Sequence, residues 1–325
     1  MDLQPGRGRA PQVVALQGDD HRLPFSKGLL ATSITGSGVD PWRAYRVAEL
    51  VESALLDSGV DTVTTAQLRD LASGILATEL GEKAAREYLT SADVGKLSES
   101  VIILIGGTTG VGKSTVATLL ANRLGITRVI PTDAVREVMR ASISEELLPA
   151  IHGSSFDVRL LAGPAADPVA GYREQVAAVA TGLRALVRRA VSEGTDVILE
   201  GAHCLPGVLR ESDLVGALRV HVVLAVPDAE VHRQHFVARS RDARGRAAGR
   251  YMAHFDNIRR LQSYIVETAR GAGVPVLDNG GLDDAVVACT RLVLDAIETA
   301  HPHPLGPPKE RVVPLSPTLQ EARQQ

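Results

Sequence analysis

The chain contains 325 residues, with a mass of 34.4 kDa and a formal net charge of −3 at pH 7. Because a domain usually contains about 100–200 residues, this length predicts two structural units. Hydrophobic residues make up 45% of the chain and charged residues 22%, which excludes wholesale disorder, a collagen-like fibre and a disulfide scaffold. The small negative charge provides no general attraction to nucleic acid or to acidic membranes, so we expect neither as a partner.

The cysteines and the apolar runs favour a cytoplasmic location. Cys204 and Cys289 lie far apart in the sequence and have no metal-ligand spacing. The first residues lack the apolar segment of a signal peptide. The longest apolar run, over 220–227, is far shorter than the roughly 20 residues that a membrane-spanning helix needs.

The first part of the chain has a helical pattern. Residues 1–18 are rich in glycine, proline, arginine and glutamine and predict a flexible start. Over 19–95, apolar residues then recur at helical spacing. Pro41 suits the first turn of a helix, and Gly59 and Gly81 suit helix ends. This segment therefore predicts a small helical domain.

The rest of the chain alternates between short apolar runs and longer helical patterns. Five runs, enriched in β-branched residues, predict strands at 101–105, 127–130, 196–199, 219–226 and 274–277. Six stretches predict helices at 113–124, 133–141, 168–193, 228–240, 248–271 and 282–299. This alternation predicts an α/β domain over 96–300, with a five-stranded, mostly parallel sheet flanked by helices. The proline-rich end, 301–325, predicts a flexible tail.

A phosphate-binding loop follows the first of these strands. Residues 107–114 satisfy the pattern G-x-x-x-x-G-K-[ST] in its required position between a strand and a helix. Glycines let the backbone point its N–H groups at phosphate oxygens, and the next helix directs its positive end to the same place. The residues expected at the phosphates are Gly107, Thr108, Thr109, Gly110, Val111, Gly112, Lys113, Ser114 and Thr115. Lys113 would contact the β- and γ-phosphates as a catalytic residue, and the Ser114 hydroxyl would ligate Mg²⁺.

Two carboxylates follow predicted strands at the edge where open α/β sheets bind ligands. Asp133 comes directly after the second strand and could orient or deprotonate an acceptor hydroxyl in phosphoryl transfer. The same residue could instead cap the following helix. Glu200 ends the third strand and could position a Mg²⁺-bound water or a substrate hydroxyl, or could be an ordinary charge at a strand end.

Two groups of arginines are candidates for anion binding. Arg136 and Arg140 are four residues apart on one predicted helix face, which suits a substrate with two anionic groups. Five arginines fall within 239–250 among small residues, which is typical of a lid that closes over phosphates. Within this segment Arg239, Arg244 and Arg250 would contact the transferred phosphoryl group. A solvated arginine-rich segment is the alternative.

Several segments together resemble the 2-phosphoglycerate kinase family, and the resemblance covers about 97–300. They lie at 105–115, 131–140, 146–157, 199–207 and 250–259. The resemblance implies a P-loop kinase that uses ATP and Mg²⁺ to phosphorylate the 3-hydroxyl of 2-phosphoglycerate, which gives 2,3-bisphosphoglycerate. It also implies that Ser154 and Ser155 donate hydrogen bonds to this small acceptor. The paired arginines would hold the acceptor's carboxylate and phosphate.

The segment 23–45 is similar to an ATP-cone, a small helical domain that binds nucleotide and regulates the enzyme to which it is attached. The resemblance implies such a domain over 19–95, through which the chain could also form oligomers. Two alternatives to 2-phosphoglycerate phosphorylation stay open. One is a kinase of the same fold that acts on another hydroxylated acid or a nucleotide sugar. The other is an ATP-sensing regulatory protein without catalytic activity.

Overall fold

The computed structural model describes residues 14–17, 21–60, 62–94, 97–160, 163–164, 167–242 and 246–301. The chain divides into two compact units, with a boundary between Ala92 and Asp93. Most of the predicted flexible start, and the predicted tail beyond His301, lie outside the described residues. No helix in the described part of the chain is long and apolar enough to cross a bilayer.

The described residues of the first unit form four helices and a small sheet. Its elements are β1 (Val14–Gln17), β2 (His21–Pro24), α1 (Lys27–Gly36), α2 (Pro41–Asp57), β3 (Thr62–Thr64), α3 (Thr65–Leu80) and α4 (Glu82–Asp93). The strand order is β2-β1-β3, with β1 antiparallel to β2 and parallel to β3. The helices confirm the predicted helical character of this segment. The sheet was not predicted, and β1 lies within the stretch that was expected to be flexible.

Side-chain caps define where two of these helices begin. Asp40 precedes α2 and accepts hydrogen bonds from the backbone N–H groups of Trp42 and Arg43, while Pro41 occupies the first turn as predicted. Thr64 and Gln67 form a reciprocal capping box at the start of α3. These contacts satisfy backbone donors that have no partner within the helix.

The second unit is the predicted α/β domain. Its strands are β4 (Ser100–Gly106), β5 (Val129–Pro131), β6 (Arg159–Leu160), β7 (Gly163–Pro164), β8 (Val197–Glu200), β9 (Ala217–Ala225) and β10 (Val276–Asp278). Its helices are α5 (Lys113–Leu124), α6 (Thr132–Ser142), α7 (Pro168–Ser192), α8 (Ala229–Asp242), α9 (Arg246–Ala253), α10 (Phe255–Gly271) and α11 (Leu282–Ala300). The predicted helix over 248–271 is therefore two helices that meet at His254.

Five of these strands form one parallel sheet in the order β10-β9-β4-β8-β5, which confirms the predicted architecture. The central strand, β4, is buried along its whole length. Its side chains alternate between the two faces, as strand geometry requires. Ile102 and Leu104 join the core formed with α7 and α10, whereas Ile103 and Ile105 join the core formed with α5 and α11. The loop after β4 consequently lies at the middle of the sheet's carboxyl edge, where parallel sheets bind ligands.

Candidate active site

The phosphate-binding loop adopts a tight backbone conformation between β4 and α5. Gly110 and Gly112 have φ angles of 87° and 83°, in the left-handed region that favours glycine. A Cβ atom at Gly110 would overlap the ring of Phe236, and one at Gly112 would overlap the amide of Asn279. Glycine is therefore required at both positions by the surroundings as well as by the backbone angles.

Lys113 lies at the first turn of α5 and lines the cleft beside the loop. Its ammonium donates a hydrogen bond to the Thr108 carbonyl at 2.8 Å, so the side chain folds back over the loop. In this position the positive charge and the N-terminal end of α5 act on the same space. The contact of this lysine with the β- and γ-phosphates stays a prediction.

Ser114 and Glu200 meet at the floor of the cleft. The Ser114 hydroxyl donates to Glu200 Oε1 at 2.8 Å, although the two residues are 86 positions apart in the chain. Glu200 ends β8 and is only 5% exposed. Hydroxyl and carboxylate oxygens are ligands that Mg²⁺ prefers, and Mg²⁺ commonly uses only one or two protein ligands beside substrate phosphates. This donor pair therefore fits the implied metal.

Asp133 lies in the first turn of α6, at the wall of the same cleft. The residue that precedes the helix is Pro131, which makes no side-chain cap, so Asp133 does not have the N-cap role that the sequence left open. Its side chain is 70% exposed, and one oxygen lies 3.4 Å from Arg136 Nε. The carboxylate is therefore accessible to a ligand in the cleft.

The two arginines of α6 have different environments. Arg136 is 9% exposed and donates to the carbonyls of Ile151 and Gly153 at 2.9 and 3.1 Å. It also contacts Glu137 at 2.7 Å. Arg140 forms an ion pair with the other oxygen of Glu137 at 2.6 Å and does not line the cleft. Glu137 therefore holds Arg140 along the helix surface in this structure, whereas Arg136 lines the cleft.

The loop that contains Ser154 and Ser155 forms the opposite wall of the cleft. The Asp157 backbone N–H donates to the Ser154 carbonyl at 2.8 Å, which closes a tight turn. A Cβ atom at Gly153 would overlap the Asp157 carbonyl, so glycine is required at this position. Arg136 attaches this acceptor loop, residues 152–155, to α6.

Only part of the predicted lid can be placed. Arg244 and the side chain of Arg239 lie outside the described residues. Arg250 is on α9, where its guanidinium lies 3.6 Å from an Asp157 oxygen and 5.8 Å from the centre of the Phe156 ring. Its neighbour Tyr251 lines the cleft, and so does Phe156. Neither aromatic residue was among the predicted site residues.

These elements enclose a cleft of about 220 Å³. Nine of the predicted site residues line it, namely Thr109, Gly110, Lys113, Ser114, Asp133, Arg136, Ser154, Ser155 and Glu200. The remaining predicted loop residues, Gly107, Thr108, Val111, Gly112 and Thr115, do not line it. The cleft therefore combines a phosphate loop, an oxygen donor pair, an accessible carboxylate and a hydroxyl-bearing loop.

A buried hydrogen-bond network that the sequence did not reveal supports these walls. Gln175 donates through Nε2 to the carbonyls of Ala150 and Gly153, so its Oε1 accepts the His203 Nε2–H at 3.1 Å. The other ring nitrogen of His203 therefore accepts from the Thr132 hydroxyl at 2.8 Å. All three side chains are fully buried. The network connects the start of α6 to the acceptor loop.

Burial lowers the pKa of His203 from its usual 6.5 to about 4, because desolvation disfavours the imidazolium. Between these values the unfolded chain binds a proton that the folded chain does not. We therefore expect the contribution of this histidine to the free energy of unfolding to be complete above pH 6.5. That contribution should fall by about 2 kcal/mol between pH 7 and pH 5. Urea unfolding at both pH values measures the effect. His203→Gln should reduce the difference, and an unchanged difference would contradict the assignment.

Comparison with known proteins found a matching family model and several sequence relatives that share one name. A family model described as "AAA domain" matches residues 102–264. The 2-phosphoglycerate kinase of Methanopyrus kandleri is 40% identical over 271 residues, which cover 82% of this chain and 82% of that protein. The 2-phosphoglycerate kinase of Thermococcus kodakarensis is 41% identical over 270 residues, which cover 82% of this chain and 91% of that protein.

Among solved structures, a shikimate kinase from Bacteroides thetaiotaomicron matches 61% of this chain and 98% of that chain, with 18% identity and a TM-score of 0.36. The family assignment rests instead on the sequence relatives, whose identity and coverage are both high. Together with the phosphate loop and the cleft, they show that the chain belongs to the 2-phosphoglycerate kinase family.

Proposed function

We propose that this protein is an ATP-dependent kinase that phosphorylates 2-phosphoglycerate at its 3-hydroxyl to give 2,3-bisphosphoglycerate. The observation that carries the proposal is the cleft itself, which Asp133 lines together with residues of the phosphate loop and the acceptor loop. The substrate in this proposal is inferred from the names of the relatives. Both cysteines are free and buried, which supports the reducing cytosol as the proposed compartment.

In this proposal the loop N–H groups and Lys113 bind the nucleotide phosphates, and Ser114 and Glu200 would hold Mg²⁺. When bound there, the metal would supply positive charge to the transferred phosphoryl group. The bond between the γ-phosphorus and the bridging oxygen breaks, and a bond forms to the 3-oxygen of the acceptor. ADP leaves with the electron pair, and Asp133 accepts the hydroxyl proton. The protein contributes mainly position and charge.

The acceptor carries two anionic groups, and the described walls of the cleft supply little free positive charge for them. Lys113 and Arg136 are the cations among the described lining residues. Four hydrogen bonds already use four of the five N–H groups of Arg136. We therefore propose that Arg136 positions the acceptor loop. The hydroxyls of Ser154 and Ser155 then donate hydrogen bonds to the acceptor. The arginines at 239, 244 and 250 supply the additional charge.

We expect ADP release when the protein is mixed with MgATP and 2-phosphoglycerate, with 2,3-bisphosphoglycerate as the product in phosphorus NMR spectra. Lys113→Ala should abolish transfer. Asp133→Asn should lower kcat by about 100-fold or more while the KM for ATP changes little, because only proton transfer is removed. Arg140→Gln is the matched control on the same helix and should leave the KM for the acceptor unchanged.

Two results would contradict the proposed substrate. Transfer to another hydroxylated acid or to a nucleotide sugar, with none to 2-phosphoglycerate, would favour the kinase of altered specificity. Tight ATP binding without transfer to any acceptor would favour the regulatory protein.

We also propose that the first unit, with α1–α4 and its small sheet, is an ATP-cone that binds a second nucleotide and regulates the kinase unit. The resemblance of segment 23–45 supports this proposal. Calorimetry with the full chain should then find two ATP per chain, and the Lys113→Ala variant should retain the site of the first unit. A single site that Lys113→Ala removes would exclude an ATP-cone that binds nucleotide.

A further inference from the structure

Helix α8 presents two histidines to the outer side of the phosphate loop. His232 Nε2 lies 2.9 Å from the Thr109 carbonyl oxygen, and His235 Nδ1 lies 3.0 Å from the Gly110 carbonyl oxygen. The two histidines are three residues apart and so lie on one face of the helix. They are more than 120 residues from the loop in sequence, and nothing in the sequence pattern marks them.

The neighbours of His232 determine which of its nitrogens carries the proton. Arg259 lies 3.4 Å from His232 Nδ1, and its guanidinium also donates to the carbonyls of Val226 and Pro227 at 2.7 and 2.6 Å. A guanidinium can only donate, so Nδ1 accepts and Nε2 carries the hydrogen. Burial, together with the arginine's charge, lowers the pKa of His232 to about 4. The imidazole is therefore neutral and donates to Thr109.

His235 is oriented by the same kind of argument. A carbonyl oxygen can only accept a hydrogen bond, so the Nδ1 that faces Gly110 carries the hydrogen. Phe236 lies beside it, directly against Gly110, where a Cβ atom would overlap the ring. The ring of Phe236 stacks on His232, with centroids 5.3 Å apart. Helix α8 thus packs against the loop backbone without an intervening layer of side chains.

The other two carbonyls of the loop also have side-chain donors. Lys113 donates to Thr108, and Asn279 Nδ2 donates to Val111 at 2.8 Å. Each carbonyl from Thr108 to Val111 therefore accepts one hydrogen bond from a side chain. In a trans peptide the C=O and the following N–H point in opposite directions. Holding the carbonyls of Thr109 and Gly110 on the side of α8 consequently turns the next N–H groups away from that helix.

We propose that His232 and His235 are positioning residues of the nucleotide site. They hold the carbonyls of Thr109 and Gly110 and so keep the N–H groups of Gly110 and Val111 directed at the nucleotide phosphates. A loop that is already in its binding conformation loses less conformational freedom when the nucleotide binds. Helix α8 also leads into the arginine-rich segment 239–250, so the same helix connects that segment to the phosphate loop.

This inference rests on the nucleotide half of the proposed function and is independent of the acceptor. It is tested by calorimetric titration of the full chain with MgADP, which needs no transfer reaction. Binding of MgADP by the wild-type protein that the Lys113→Ala variant loses establishes the site at the phosphate loop. If the wild-type protein does not bind MgADP, the proposed function fails together with this inference. If it binds MgADP at this loop but transfers no phosphoryl group to any acceptor, the kinase activity fails while this inference stands.

The variants separate the hydrogen bond from the packing. His232→Phe and His235→Phe keep a ring but remove the donor, whereas His232→Gln and His235→Asn keep an N–H near the original nitrogen. Each phenylalanine variant loses one hydrogen bond of ordinary strength. We therefore expect its affinity for MgADP to be about five- to tenfold weaker than that of the wild type. The amide variants should stay within about threefold of the wild type. Gln234→Phe, on the exposed side of the same helix, is the matched control and should bind MgADP normally.

Far-UV circular dichroism and thermal unfolding establish that each variant is folded. Because the amide variants restore the donor, their affinity distinguishes a positioning role from general damage to the structure. Phenylalanine variants that bind MgADP as tightly as the wild type would overturn the proposal. Amide variants that lose as much affinity as the phenylalanine variants would also overturn it.

Discussion

The backbone of the loop between β4 and α5 is the constraint on which the rest of the site depends. Each of its carbonyls from Thr108 to Val111 accepts a hydrogen bond from a side chain, which leaves the N–H groups for phosphate oxygens. Because β4 is the central strand and β8 is its neighbour, Glu200 at the end of β8 lies near this loop, and so does the start of α6. The carboxylate, the hydroxyl of Ser114 and the acceptor loop are all placed relative to it.

The strands, helices and site residues that could be predicted from the sequence are those with a strong local pattern of residues. The five parallel strands were predictable because each is a continuous apolar run, and β4 shows why, since both of its faces are buried. The start of α5 at Lys113 follows from the glycine-rich motif. Glu200 could be placed at the cleft because the carboxyl ends of parallel strands meet at one edge of a sheet. The four helices of the first unit likewise follow from periodicity and from helix-ending glycines.

The parts that the sequence did not predict depend on contacts between distant residues. Helical spacing put Arg140 on the same face as Arg136, but the contact with Glu137 decides where each guanidinium points. The network of Thr132, Gln175 and His203 joins three elements, and a single histidine has no spacing pattern that could reveal it. The strand β1 has only four residues, too few for a periodic signal. These features follow from tertiary packing.

A crystal structure of the full chain with ADP and Mg²⁺ tests most directly whether the phosphate loop binds the nucleotide phosphates. We expect β-phosphate oxygens within about 3 Å of the backbone nitrogens of residues 110–114. We also expect the carbonyls of Thr109 and Gly110 to keep their hydrogen bonds with His232 and His235, and the metal to lie beside Ser114 and Glu200. A nucleotide bound away from this loop, or loop peptides rotated so that these carbonyls face the phosphates, would contradict this expectation.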